Sequence, residues 1–315
     1  GVRLVASAHG SNAARRDFFR GSLTLWSRAQ RAFRHNARPM IEPRIPAAND
    51  AVPHRGDVVL RFSDVTLSRG ARIVLRDVDF AVRAGELVAV LGPSGAGKST
   101  LLAAATGELA PTAGTISVLG ETLPLPRGGL FALRQRIGVL LQGSGLLTDL
   151  DVFENVALPL RAHADLPDAI LRRLVALKLG AVGLRDAQAL SPQQLSGGMA
   201  RRVALARALV LDPPLMLYDE PLTGLDPIAR GVIVALIRGL NRTLGLTSIV
   251  ISHDVAECLA IADRALVVAG GRIAFSGAPA ELAASRDPAL RQFLDGAADG
   301  PIAFDYSAQG ATTHA

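Results

Sequence analysis

The chain has 315 residues, of which 49% are hydrophobic and 4% aromatic, with a formal charge of +6. Nine arginines in residues 1–44 face only Asp17 and Glu42, so residues 45–315 sum to about −1 and the body does not have the charge of a nucleic-acid binder. A single cysteine, Cys258, excludes an internal disulfide and weakly suggests a reducing compartment, and no apolar run approaches the ~20 residues of a membrane-spanning helix.

Residues 1–50 lack periodicity, and the first methionine is Met40, just ahead of Pro43, Pro46 and Pro53. We expect a disordered or mis-annotated N-terminal extension. Phe18, Phe19, Leu23, Trp26 and Phe33 among the arginines also suit a membrane-surface helix. Gly21 interrupts that helix, so the plainer reading is preferred. No apolar block with a small-residue cleavage site marks a signal peptide.

From residue 57 the chain alternates strands and helices. Val58–Phe62 and Val78–Val82 read as short strands, with a turn at Arg69-Gly70. Glu86–Leu91 is a continuous apolar strand, followed by a glycine-rich loop and an apolar helix over Gly97–Thr106. Pro111–Gly114 turns into a strand at Thr115–Leu119. Asp151 and Glu154 form an N-cap pair opening a helix over Asp151–Leu158. Residues 165–190 read as helical with polar breaks, and Ser196–Leu211 as a helix stopped by Asp212-Pro213-Pro214. Leu215–Tyr218 and Ser248–Ile251 have the unbroken apolar character of buried parallel strands. Ala265–Ala269 and Arg272–Phe275, joined by Gly270-Gly271, read as a hairpin. The expected fold class is α/β, with ligands at the carboxyl ends of the parallel strands.

Gly92-Pro93-Ser94-Gly95-Ala96-Gly97-Lys98-Ser99-Thr100 is a P-loop. Its glycines let backbone N–H groups turn toward phosphate oxygens, and the following helix aims its positive end at the same anion. Lys98 is expected to neutralise β/γ-phosphates and the Ser99 hydroxyl to bind Mg²⁺. Lys98 and Lys178 are the only lysines in an arginine-rich chain. Leu215–Tyr218 runs into Asp219 and Glu220, two acids at the end of a buried strand. Asp219 is expected to hold Mg²⁺ and Glu220 to polarise the attacking water. Ser196-Gly197-Gly198, before Met199, is a second hydroxyl-plus-amide helix start suited to an anion.

The order Lys98, Gln142, Ser196, Asp219-Glu220, Asp226, His253 resembles the nucleotide-binding domain of ABC ATPases, over roughly residues 57–285. The resemblance implies an ABC-type P-loop NTPase: a mixed sheet core, an antiparallel β subdomain and a helical subdomain at about 143–210. The nucleotide-binding domain is expected at 51–285, with a C-terminal extension at 286–315. The resemblance further implies a homodimer in which Ser196, Gly197 and Gly198 of one copy close over ATP held by the other. Gln142 would be a sensor that also helps place the metal, Asp226 a link between sites, and His253 a γ-phosphate contact. Arg69 stands where the family usually has an adenine-stacking aromatic, and Met199 where it usually has Gln.

Arg69-Gly70-Ala71-Arg72, Met199 in its helix, Ser252–Val255, and the tail Arg291–Gly296 with Asp299–Pro301 look like the Mla phospholipid-trafficking branch. That implies an ATPase acting peripherally at the cytoplasmic side of the bacterial inner membrane. Its partners would be a multi-spanning permease, an MCE-domain lipid-binding protein and a STAS-domain protein, with membrane contact through the permease. The competing readings are the ATPase of another ABC transporter, a soluble ABC protein acting on ribosomes or DNA, and a regulatory module without turnover. One P-loop, the lack of coiled-coil insertions, and intact Lys98, Glu220 and His253 argue against the last two. The tail is read as a final amphipathic turn (Leu290, Phe293, Leu294) on its own domain, or as a segment reaching a neighbouring subunit from residue 296 onward.

Overall fold

The computed structural model describes residues 53–301. The expected N-terminal extension at 1–50, residues 51 and 52, and the end of the tail from 302 lie outside the described residues.

Among the described residues, ten strands form two sheets. β1 (Val58–Arg69), β2 (Arg72–Arg83), β4 (Ala113–Val118) and β5 (Glu121–Leu123) make an antiparallel sheet in the order β2-β1-β4-β5. β3 (Leu87–Leu91), β6 (Ile137–Leu140), β7 (Leu215–Asp219), β8 (Thr247–Ser252), β9 (Arg264–Ala269) and β10 (Arg272–Gly277) make the second, in the order β10-β9-β3-β8-β7-β6. All its pairings are parallel except the β9–β10 hairpin.

β3 is buried on both faces, as its unbroken apolar run requires. Leu87, Ala89 and Leu91 point into a core shared with the helical layer, while Val88 and Val90 point into a second core shared with the antiparallel sheet. The period of two thus joins both cores through one strand, and that strand ends at the P-loop.

The helices are α1 (Lys98–Ala105), α2 (Arg127–Gln135), α3 (Val152–His163), α4 (Asp168–Ala181), α5 (Gly197–Ala208), α6 (Pro227–Leu244), α7 (Val255–Ile261), α8 (Pro279–Ala283) and α9 (Pro288–Asp295). α3, α4 and α5 pack together as a helical subdomain, with Val156, Leu160, Leu174, Val175, Val203 and Leu205 in its core. Among the described residues no helix is long and apolar enough to cross a membrane.

Several elements differ from the sequence expectation. β1 and β2 are each twelve residues long. The apolar runs stop at Phe62 and start at Val78 because Asp64 and Asp77 adopt positive φ at irregularities in the ladder, beyond which the strands continue. α3 runs past Pro159 to His163, since Leu160 carries its buried face across the proline. Asp151 caps α3 by accepting from Glu154 N at 2.7 Å, but the Glu154 side chain pairs with Arg161 instead of returning to the cap. α5 ends at Ala208, a turn before the Asp-Pro-Pro stop. Residues 165–190 hold α4 and a 3-10 turn at Arg185–Ala187. β5, β6, α2 and α6 were not expected. In the tail, Leu290 is buried on α9 and Phe293 and Leu294 pack on the same core, as the plainer reading of that segment requires.

Candidate active site

The P-loop leaves β3 under tight steric control. Gly92 has φ +151°, and a Cβ there would lie 2.3 Å from the Val268 carbonyl oxygen of β9. Gly97 has φ +104°, with its Cβ position 2.9 Å from a Leu75 methyl. Only glycine fits either position.

Lys98, 7% exposed, donates from Nζ to the carbonyls of Gly92 at 2.7 Å and Pro93 at 3.0 Å. Its pKa is lowered by burial, opposed by the charges of Glu220 and Asp219. The lysine is thus folded back over its own loop, in electrostatic contact with Asp219 at the end of β7 and with Glu220 just beyond it. Ser99 is exposed, and Thr100 is buried and accepts a hydrogen bond from Arg69 Nε at 3.3 Å.

Asp219 Oδ1 is buried with no hydrogen-bond partner. Burial and the Glu220 charge raise the Asp219 pKa, partly offset by Lys98. A buried carboxylate oxygen without a donor is costly and is relieved by a cation. The donor set fits Mg²⁺, a hard ion that takes one or two carboxylates together with phosphate oxygens.

Glu220 follows with φ +48°, a left-handed conformation unusual for a non-glycine and frequent at functional sites. Its N–H donates to Ile251 O at 2.8 Å, which fixes the turn against β8. Its Oε2 accepts from His253 Nδ1 at 2.8 Å and from the Thr223 and Ser252 hydroxyls, each at 3.3 Å. His253 is half exposed. Ligand-type atoms of Glu220, His253 and Asp254 lie within 4.8 Å of one another, so β7 and β8 converge on one polar centre beside Lys98. Asp254, not among the expected site residues, accepts from Arg230 of α6 at 3.2 Å.

The remaining expected residues hold helix starts or lie in exposed chain. Ser196 Oγ caps α5 by accepting from Met199 N at 3.2 Å. Asp226 Oδ1 caps α6 by accepting from Ile228 N and Ala229 N, both at 2.9 Å. The two helix starts touch: a Cβ on Gly198 would lie 3.1 Å from Ala229 Cβ. Among the described residues no hydrogen bond joins Ser196, Gly197 or Gly198 to the P-loop.

Gln142 is exposed, and its backbone is tightly held. Arg201 of α5, 5% exposed, donates to Leu141 O at 3.2 Å, to Gly143 O, and to Thr223 O at 3.0 Å. Asn155 of α3 is fully buried and binds the Leu147 N–H and the carbonyls of Leu147, Leu150 and Asp151. Sequence reading missed both residues. A basic residue and an amide in otherwise apolar helix faces were the available signals.

A family model described as ABC transporter matches residues 75–223. Over 246 residues the chain is 49% identical to the intermembrane phospholipid transport system ATP-binding protein MlaF of Escherichia coli strain K12, covering 78% of this chain and 91% of that protein. The chain belongs to the ABC transporter family, as an ATP-binding subunit. Among solved structures, this ABC ATPase is similar to cbiO1 from Clostridium perfringens, part of the ABC transporter complex cbiONQ. That match has a TM-score of 0.69 and 29% identity, over 73% of this chain and 92% of the other. It is also similar to the ATP-binding cassette MJ0796 in a dimeric, post-hydrolysis state bound to ADP and Pi. There the TM-score is 0.64 and the identity 30%, over 70% of this chain and 98% of the other. The ABC ATPase described here is an ATP-hydrolysing subunit, homologous to MlaF, and family membership implies binding of ATP with Mg²⁺.

Proposed function

We propose that this chain powers phospholipid movement between the inner and outer membranes of a bacterial envelope, as a homodimer on the cytoplasmic face of a separate permease. What supports the cargo is the similarity to MlaF. What supports the dimer is the division of the site. Lys98, Asp219, Glu220 and His253 gather at one place, while Ser196, Gly197 and Gly198 form a helix tip that no hydrogen bond ties to them.

In this reading, residues 92–100 cradle the triphosphate and Lys98 swings from its own carbonyls to the β/γ-phosphate oxygens. Ser99, Asp219 and Gln142 would hold Mg²⁺, which would supply positive charge against the phosphate oxygens. Glu220 accepts the proton of the attacking water, yielding ADP and phosphate, and His253 donates toward the γ-phosphate. Asp226 holds the start of α6 where the two copies meet. The helix tip of one copy covers the phosphates of the other, with backbone N–H groups on the γ-phosphate.

Closure would pass to the permease through the groove where α2, β6, α3 and α5 meet. Phe131, Ile137, Val139, Pro159, Leu211 and Pro213 line it, it encloses about 350 Å³, and Phe131 is 58% exposed. An apolar rim of this kind suits a protein partner. An MCE-domain protein and a STAS-domain protein complete the assembly in the branch this chain resembles.

The test is a trapped crosslink. A Ser94→Cys, Ser196→Cys double variant in a Glu220→Gln background is oxidised with and without Mg²⁺-ATP; native Cys258 is buried and does not interfere. We expect a covalent dimer that depends on nucleotide. A monomer under all conditions overturns the shared-site reading.

A further inference from the structure

We propose that Arg230 is a positioning residue for hydrolysis: it clamps the turn after Glu220 to the stretch that carries His253, and so fixes the general base from behind. The inference rests on the nucleotide reading above and adds a residue to it. Arg230 stands in the first turn of α6, and its guanidinium reaches two separate elements. Nε donates to Leu225 O at 3.1 Å, and Nη1 donates to Asp254 Oδ1 at 3.2 Å, with Glu257 Oε1 of α7 at 3.9 Å. Leu225 closes the turn that follows Glu220, its N–H donating to Leu222 O at 3.3 Å. Asp254 is the residue after His253. Arginine suits such a post, because its planar fork presents donors in a fixed geometry that a lysine ammonium does not.

Asp254 is committed to this contact. It stands at the N-cap of α7, yet its side chain makes no capping bond, whereas Asp226 at the start of α6 accepts from two helix N–H groups. The Asp254 side chain is largely buried, and among the described residues Arg230 is the cation that pairs with it. The Asp254 N–H donates to Ser252 Oγ at 3.1 Å, and Ser252, fully buried, donates to Glu220 Oε2. The contacts therefore close a ring. From Glu220 one arm runs through the Thr223 hydroxyl and along the turn to Leu225, and the other runs through Ser252 to Asp254; Arg230 joins the two ends. The positive φ of Glu220 needs such a setting, since a strained backbone persists only where its surroundings over-determine it. Among the described residues no hydrogen bond or ion pair joins Arg230 to residues 92–100, so its loss should fall on turnover and spare nucleotide binding.

The test is steady-state phosphate release by the full chain with Mg²⁺-ATP. It compares wild type, Arg230→Met, Arg230→Lys, Asp254→Asn and the Arg230→Met, Asp254→Asn double variant, with Glu220→Gln as the blank. We expect Arg230→Met to lower kcat about tenfold with KM for ATP within about twofold of wild type. Arg230→Lys keeps the charge and loses the fork, so its kcat should stay at least about threefold below wild type at an unchanged melting temperature. The double variant should fall no further than the lower of the two single variants, because both cut the same pair. Hydrogen exchange, which needs no turnover, should show lost protection at 221–226 and 252–257 in Arg230→Met, with α3, α4 and α5 unchanged. A rise in KM that accounts for the loss, multiplied losses in the double variant, wild-type turnover in Arg230→Lys, or unchanged exchange at either stretch overturns the inference and leaves the ATPase reading standing. A wild-type chain that hydrolyses nothing, or turnover that survives Glu220→Gln, overturns the hydrolytic assignment of Glu220 and this inference with it.

Discussion

Asp219→Asn is expected to move the protein in opposite directions in two assays. Asp219 Oδ1 is buried without a donor, and its pKa is raised by burial and by Glu220. An unsatisfied buried acceptor costs about 1–3 kcal/mol, more when charged. Removing the charge also deprives Lys98 of a neighbouring carboxylate. That opposing effect is the smaller one, because Glu220 does more than Asp219 to support the lysine's charge. A net gain of about 1 kcal/mol is expected at neutral pH, and for a domain of this size that raises the melting temperature by about 2–4 °C.

The pH dependence has a definite sign. The folded state holds the Asp219 proton more tightly than the unfolded chain does. Wild type therefore gains stability as pH falls through the raised folded pKa toward the ordinary carboxylate value, and loses it as pH rises through that window. The advantage of Asp219→Asn should shrink as the pH is lowered. With Mg²⁺ and ATP at about 100 times Kd, wild type gains about 2.7 kcal/mol, and the variant should lose the Mg²⁺-dependent part of that gain. Differential scanning fluorimetry with ATP, with and without Mg²⁺, reads both effects. A variant less stable than wild type without nucleotide, or one with an intact Mg²⁺ response, would refute the assignment of Asp219 as a cation ligand.

Glu220→Gln keeps the size and the hydroxyl contacts of its side chain but loses the base. It should bind ATP and hydrolyse it at least about 100-fold more slowly in a phosphate-release assay. Gly92→Ala drives a methyl to 2.3 Å from a backbone oxygen of β9 and should cost about 1–3 kcal/mol in urea unfolding, with nucleotide affinity falling too. Asn155→Ala empties a fully buried position that binds backbone groups of residues 147–151 and accepts from Arg207 at 3.4 Å. It should cost about 2–3 kcal/mol, and hydrogen exchange should show that loop losing protection.

What the sequence made legible was local. Glycines at fixed spacing, a rare lysine, and an apolar strand ending in two acids carry their chemistry within a few residues. The structure gathers Lys98, Asp219, Glu220 and His253 accordingly. What stayed hidden depends on distant neighbours. Asn155 and Arg201 look like ordinary helix residues until the loops they hold are folded against them. The full lengths of β1 and β2 come from pairing across irregularities at Asp64 and Asp77, where the apolar pattern breaks. α6 was readable in principle: Asp226 and Pro227 open it, and Ile233, Ile237 and Leu240 repeat at helical spacing.

The grip of Arg201 has a consequence for timing. One guanidinium on α5 holds the chain on both sides of Gln142 and also holds Thr223, whose hydroxyl bonds Glu220. A tilt of that helix displaces the segments flanking Gln142 and the loop of Thr223, the hydroxyl partner of Glu220, together. Through that one side chain, the stretch around Gln142 and the turn carrying Glu220 are positioned as a unit.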